Sequence, residues 1–83
     1  MNKPLVLVVE DDRPVRNLIV TTLKSHDYRY LTAENGKTAI MEASSHNPDI
    51  VLLDLGLPDI DGTEVITNIR GWSNMPIIVI SAR

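Results

Sequence analysis

Four residues have the types and positions for chemistry on a phosphoryl group: Glu10, Asp11, Asp54 and Ser81. Each stands at the end of a short run of branched apolar residues. Leu5 to Val9 precede the acidic pair, Ile50 to Leu53 precede Asp54, and Ile77 to Ile80 precede Ser81. Runs of this length and composition read as strands buried on both faces of a parallel sheet. In such a sheet the carboxyl ends share one rim, where open α/β folds carry their reactive groups. Like charges ~5 Å apart repel by ~3 kcal/mol per pair at an effective dielectric of about 20, so three carboxylates on one rim need compensation. A divalent cation supplies it, and all-oxygen ligation that keeps several waters is Mg²⁺ chemistry rather than zinc chemistry. Bound Mg²⁺ would also neutralise an incoming phosphoryl group, with Asp54 as the nucleophile that forms an aspartyl phosphate. Ser81 is placed to donate a hydrogen bond to a phosphoryl oxygen.

The other polar residues have plainer readings. Asp12 suits the cap of a following helix, and Glu10 by itself could merely favour that helix's positive end. Asp59 and Asp61 read as turn formers among Gly56, Pro58 and Gly62. His26 and His46 fall at helix ends without a partner at ligand spacing and read as solvent-facing; Trp72 reads as packing at a helix end. An EF-hand alignment on Asp59-Ile60-Asp61-Gly62 fails, since it puts Leu57 at the first ligand position, Asn68 at the twelfth and Pro58 inside the loop. No glycine-rich phosphate loop follows the first strand. Without cysteine, a disulfide framework and a thiolate metal site are excluded.

The elements that must position the rim follow in order. After Pro4 to Val9 the periodicity changes, and Val15, Leu18, Ile19 and Leu23 are spaced as one face of a helix that begins near Arg13 with Pro14 in its first turn and stops near Ser25 to Asp27. Tyr28 to Ala33 is a shorter, more polar strand, expected nearer an edge. Asn35 and Gly36 form a turn, and Ala39, Ile40 and Ala43 mark a second helix ending before Asn47 and Pro48. After the central strand comes a third helix, Thr63 to Arg70, closed by Gly71. The order β-α-β-α-β-α-β implies a parallel α/β sheet with right-handed crossovers and helices on both faces. The apolar first, third and fourth strands are expected in its interior.

Eighty-three residues allow one domain at most, burying roughly 60 to 65% of the unfolded surface. At 43% hydrophobic and 23% charged the composition is that of a globular chain, which argues against disorder. The net charge of -3 gives no general attraction to nucleic acid or to anionic membranes. The longest apolar run is far short of the ~20 residues that span a bilayer. A cytoplasmic chain without its own nucleic-acid or membrane partner is the expectation.

Glu10-Asp11 after the first strand, Asp54 within Leu52-Leu53-Asp54-Leu55-Gly56-Leu57-Pro58-Asp59-Ile60-Asp61-Gly62, and Ile80-Ser81-Ala82 after the fourth strand together resemble the receiver domain of two-component response regulators. The resemblance runs the full length of the chain. The ending from Trp72 to Arg83 is similar to DNA-binding regulators of the OmpR type that control potassium transport. The resemblance implies a flavodoxin-like (CheY-like) doubly wound sheet with strand order 2-1-3-4-5, incomplete at the C-terminus. It implies Asp54 as phosphoacceptor, Asp11 and Asp54 as direct Mg²⁺ ligands with the Gly56 backbone carbonyl, Glu10 acting through water, and Ser81 as a switch hydroxyl. The partner would be a sensor histidine kinase.

On this view residues 1–83 are the N-terminal two-thirds of a receiver, without the lysine of a fifth strand and without an output domain. The fourth strand and part of the Ile19, Val20 and Leu23 surface are then expected to be uncovered, favouring self-association. The chain is expected to be a switch and not a turnover enzyme. Two alternatives stay open: an Mg²⁺-dependent phosphohydrolase with Asp54 as nucleophile, disfavoured because Gly56 stands where a second acid is usual, and an inactive structural fragment.

Overall fold

The computed structural model describes residues 3–81, with Ser81 described through its backbone. The elements are β1 (Leu5–Val9), α1 (Arg13–Ser25), β2 (Arg29–Ala33), α2 (Gly36–His46), β3 (Ile50–Asp54), α3 (Gly62–Arg70) and β4 (Ile77–Ser81). Every helix start carries a side-chain cap. Asp12, Asn35 and Asp61 accept the N–H groups of Val15, Thr38 and Thr63, satisfying donors that an isolated helix leaves unpaired. α2 ends on Asn47 in the left-handed region, at φ 49°, with its N–H on the Ala43 carbonyl.

The four strands are all parallel, in the order β2-β1-β3-β4. This is the expected flavodoxin-like order as far as the strands go. β2 lies at one edge as its polar sequence suggests. β4 lies at the other, so the apolar pattern that placed it inside the sheet is corrected: Ile78, Val79 and Ile80 are all exposed.

Alternation along the strands separates two layers. Leu7, Val9, Val51 and Leu53 pack with Ala39 and Ala43 of α2 and with Val65 and Ile69 of α3, forming the continuous core. α1 covers part of the opposite face, over β1 and β2. Its apolar face differs from the expected one. Leu18 is 68% exposed and Val15 is also exposed, while the inward stripe runs Arg16, Ile19, Val20, Leu23. Both stripes have helical spacing; the one that faces the sheet begins with an arginine, which apolar counting overlooks. Beside α1, Pro4, Val6, Leu23, Tyr28, Asp49, Ile50 and Leu52 line an apolar groove of about 380 Å³.

Gly62 is required by a close approach of backbone. A Cβ on Gly62 would stand 2.6 Å from the Leu55 Cα, a backbone atom that cannot swing aside. Gly62→Ala is therefore expected to lower stability by about 1–3 kcal/mol, as overpacking does, in denaturant unfolding followed by circular dichroism.

Candidate functional site

β1 and β3 are adjacent, with Val9 paired to Leu53, so the residues that follow them emerge side by side. Carboxylate oxygens of Glu10, Asp11 and Asp54 all lie within 4.8 Å of one another. Asp54 is fully buried and Glu10 is 2% exposed, while Asp11 is half-buried. The sequence expectation that strand order would gather these three acids is met in their positions.

The acids sit in defined settings. The Glu10 N–H donates to the Ala33 carbonyl at 3.0 Å, which ties the β1 exit to β2. The Asp54 Oδ1 accepts the Gly56 N–H at 2.9 Å, which orients that carboxylate from its own loop. Burial first, then hydrogen bonding with Asp54, raises the Glu10 pKa to about 7. A proton near neutrality is the cluster's own answer to its crowding, since one neutral carboxyl removes two of the three repulsions. Three oxygen donors of this kind fit a hard divalent cation such as Mg²⁺.

β4 approaches with an irregularity. Leu53 pairs with Val79, but Asp54 pairs with Ser81, a register shift at the end of the strand. A regular ladder would set Ile80 beside Asp54; the bulge sets the Ser81 backbone there instead, as bulges beside sites often re-aim the chain. The hydroxyl expected to follow a phosphate lies outside the described atoms, as do Ala82 and Arg83.

Of the remaining acids, Asp12 caps α1, accepting the Val15 N–H at 3.1 Å, and Asp61 caps α3. Asp59 is not a simple turn former, a correction: its carboxylate reaches across to the N–H groups of Gly36 and Lys37. His26 and His46 are exposed, as expected. Trp72 is 45% exposed and donates its indole N–H to Asn68 at 3.1 Å, so it edges the end of α3 rather than filling a core.

The residue that sequence reasoning missed is Arg16. Its side chain is nearly buried, donates from Nη1 to the Glu10 carbonyl oxygen at 2.9 Å and reaches Glu34 at 3.3 Å from Nη2. It therefore fixes the backbone from which Glu10 and Asp11 project, and places a positive charge behind an acidic cluster. The one signal in the sequence is its phase, three and four residues before Ile19 and Val20 and seven before Leu23.

The model of the response regulator receiver domain family matches residues 6–83. The KDP operon transcriptional regulatory protein KdpE of Escherichia coli is 45% identical over 78 residues, covering 94% of this chain and 35% of that protein. KdpE of Staphylococcus aureus is 44% identical over 78 residues, with 94% and 34% covered. The chain thus spans about a third of the curated relatives it matches. Among solved structures, the response regulator TrrA of Thermotoga maritima, in complex with Mg(2+)-BeF, superposes with a TM-score of 0.89 at 37% identity, covering all of this chain and 71% of that one. The BeF3-activated receiver domain of Klebsiella pneumoniae RstA gives 0.89 at 33%, with 95% and 68% covered.

The raised Glu10 pKa has a thermodynamic consequence. An unfolded Glu titrates near 4.5, so between there and about 7 the folded chain holds the extra proton. Stability is then highest below the unfolded value and falls as pH rises through about 7, by up to about 3 kcal/mol. Urea unfolding of the metal-free chain at pH 5 and pH 8 is expected to show this fall. Saturating Mg²⁺, which favours the charged carboxylates, is expected to offset it, and Glu10→Gln to remove it.

Proposed function

We propose, on the premise that the chain belongs to the response regulator receiver domain family, that it is a phosphoryl-accepting switch of the KdpE type, phosphorylated on Asp54 by a histidine kinase in the presence of Mg²⁺. The observation that carries this reading is the gathering of Glu10, Asp11 and the fully buried Asp54 within 4.8 Å at the ends of two adjacent strands. Residues 1–83 correspond in this reading to the N-terminal two-thirds of a receiver domain.

The roles follow from position. Asp11 and Asp54 would hold Mg²⁺ directly, with the Gly56 carbonyl, and Glu10 through water. When bound, the cation supplies charge neutralisation for an incoming phosphoryl group. Asp54 is oriented by the Gly56 N–H, and one of its oxygens forms the new bond to phosphorus as the P–N bond to the donor's imidazole breaks, its electron pair returning to the ring nitrogen. Ser81, its Cα paired with that of Asp54, would follow the phosphoryl group as the switch residue. The Gly56 position, two residues after Asp54, offers only backbone, which disfavours a hydrolase with a second acid there and supports a switch rather than a turnover enzyme.

The relatives are named as transcriptional regulators, and control of transcription through DNA binding is the role proposed for a whole protein of this type. The net charge of -3 gives this chain no general attraction to nucleic acid. No helix among the described residues is long and apolar enough to cross a membrane, which suits the cytoplasmic location proposed for it. The open edge of β4, with Ile78, Val79 and Ile80 exposed on both faces, supports self-association of this chain.

Incubation with acetyl phosphate and Mg²⁺ is expected to add the mass of one phosphoryl group, removable by hydroxylamine. Asp54→Asn should abolish the gain and Asp11→Ala should slow it at least about tenfold. A gain that persists in Asp54→Asn would contradict the assignment, and sustained phosphate release over many turnovers would favour the hydrolase. In sedimentation equilibrium at tens of micromolar the chain is expected to exceed the monomer mass, with Val79→Lys shifting it back; a monomer throughout would contradict self-association.

A further inference from the structure

Asp59 stands in the loop between β3 and α3, five residues after Asp54. Its Oδ1 accepts the Gly36 N–H at 2.7 Å and its Oδ2 accepts the Lys37 N–H at 3.0 Å, across more than twenty residues of chain. The next donor, the Thr38 N–H, goes to Asn35 Oδ1 at 2.8 Å, and the Ala39 N–H opens the helical ladder on the Asn35 carbonyl at 3.0 Å. The N–H groups of Gly36 to Ala39 are therefore all satisfied, and two of the three side-chain caps come from the loop that follows Asp54. A carboxylate at the positive end of a helix is also favoured electrostatically. Desolvation pushes the Asp59 carboxyl up, but N–H bonds led by those of Gly36 and Lys37 outweigh it and hold it below its usual range, so it is anionic at neutral pH.

A second contact fastens the same two segments. A Cβ on Gly36 would stand 2.3 Å from Ile60 Cγ1, so the bare glycine is a notch that the Ile60 side chain occupies. At the other end of the loop the Gly56 N–H is on Asp54 and the Gly62 N–H on the Leu55 carbonyl at 3.2 Å. Only Leu57 and Pro58 separate Gly56 from Asp59, and the proline ring restricts one of those two backbones. Where Asp59 is held thus limits where the Gly56 peptide can sit.

We propose that Asp59 is a positioning residue that ties the loop after Asp54 to the first turn of α2 and so holds the Gly56 backbone in place for phosphoryl transfer. The functional half of this inference rests on the reading in the preceding subsection; the tether itself does not.

The test compares Asp59→Ala, Asp59→Asn and Asn35→Ala in the 83-residue chain by amide hydrogen exchange and by the rate of Mg²⁺-dependent phosphorylation from acetyl phosphate. Asn35→Ala is the control, since it uncaps the same helix and leaves the tether intact. Asp59→Ala is expected to speed exchange at Gly36, Lys37 and the 56–60 loop by roughly tenfold and to slow phosphorylation by a similar factor. Asn35→Ala should lower thermal stability comparably without slowing phosphorylation. Asp59→Asn keeps an oxygen for one of the two N–H groups, and should give a smaller change in the same direction with the fold secure. Unchanged exchange at Gly36 and Lys37 in both Asp59 variants would overturn the tether. Faster exchange with an unaltered phosphorylation rate, or an equal loss in Asn35→Ala, would overturn the positioning role. A wild-type chain that accepts no phosphoryl group would refute the functional reading, and the exchange arm alone would then decide the tether.

Discussion

The constraint on which the rest of this structure depends is the mutual repulsion of three carboxylates held at one end of a parallel sheet. Parallel pairing puts the exits of β1 and β3 side by side, so Glu10, Asp11 and Asp54 cannot avoid one another, and their oxygens come within 4.8 Å. At that separation each charged pair costs about 3 kcal/mol even at an effective dielectric of about 20, and burial of Glu10 and Asp54 weakens the screening further. The fold tolerates this by a proton on Glu10 near neutrality, while Arg16, donating to the Glu10 carbonyl, anchors the backbone that carries the cluster. Oxygens of all three residues stay within 4.8 Å of one another, where a divalent cation would relieve the repulsion.

Around that cluster the polar residues divide into two kinds of work. Asp12, Asn35, Asp59 and Asp61 each spend their oxygens on backbone N–H groups at helix starts. Glu10, Asp11 and Asp54 are kept together at strand ends. Local capping locks the loops whose geometry the cluster needs, and Asp59 does so across the molecule rather than within its own helix.

Much of this was legible in the residues alone. Alternation of apolar runs with helical spacing implied a parallel sheet, and the acids at strand ends implied the rim, because both follow from periodicity and chain order. The edge position of β4 was only half legible: its composition is that of an interior strand, and the resemblance to receivers, not the pattern, pointed to its exposure. The inward phase of α1 was misjudged because two stripes share helical spacing and the buried one starts with Arg16, whose burial depends on a carbonyl six residues earlier. Asp59 looked like a turn former because its partners are far away in sequence. The β4 bulge left no mark, since Ile80 and Ser81 differ in their neighbours only once the ladder slips. Local signals reach elements; contacts between distant segments require the folded chain.

The most direct test of the central claim is the proton count on cation binding. Titration calorimetry with Mg²⁺ at pH 7 in buffers of different ionisation heat is predicted to show one saturable site that releases about half a proton, because Glu10 titrates near 7 before binding and is ionised after it. The release should vanish in Glu10→Gln, and binding should vanish in Asp11→Ala. Saturable binding with no proton released, or binding unaffected by either substitution, would contradict the account of three crowded carboxylates sharing one cation.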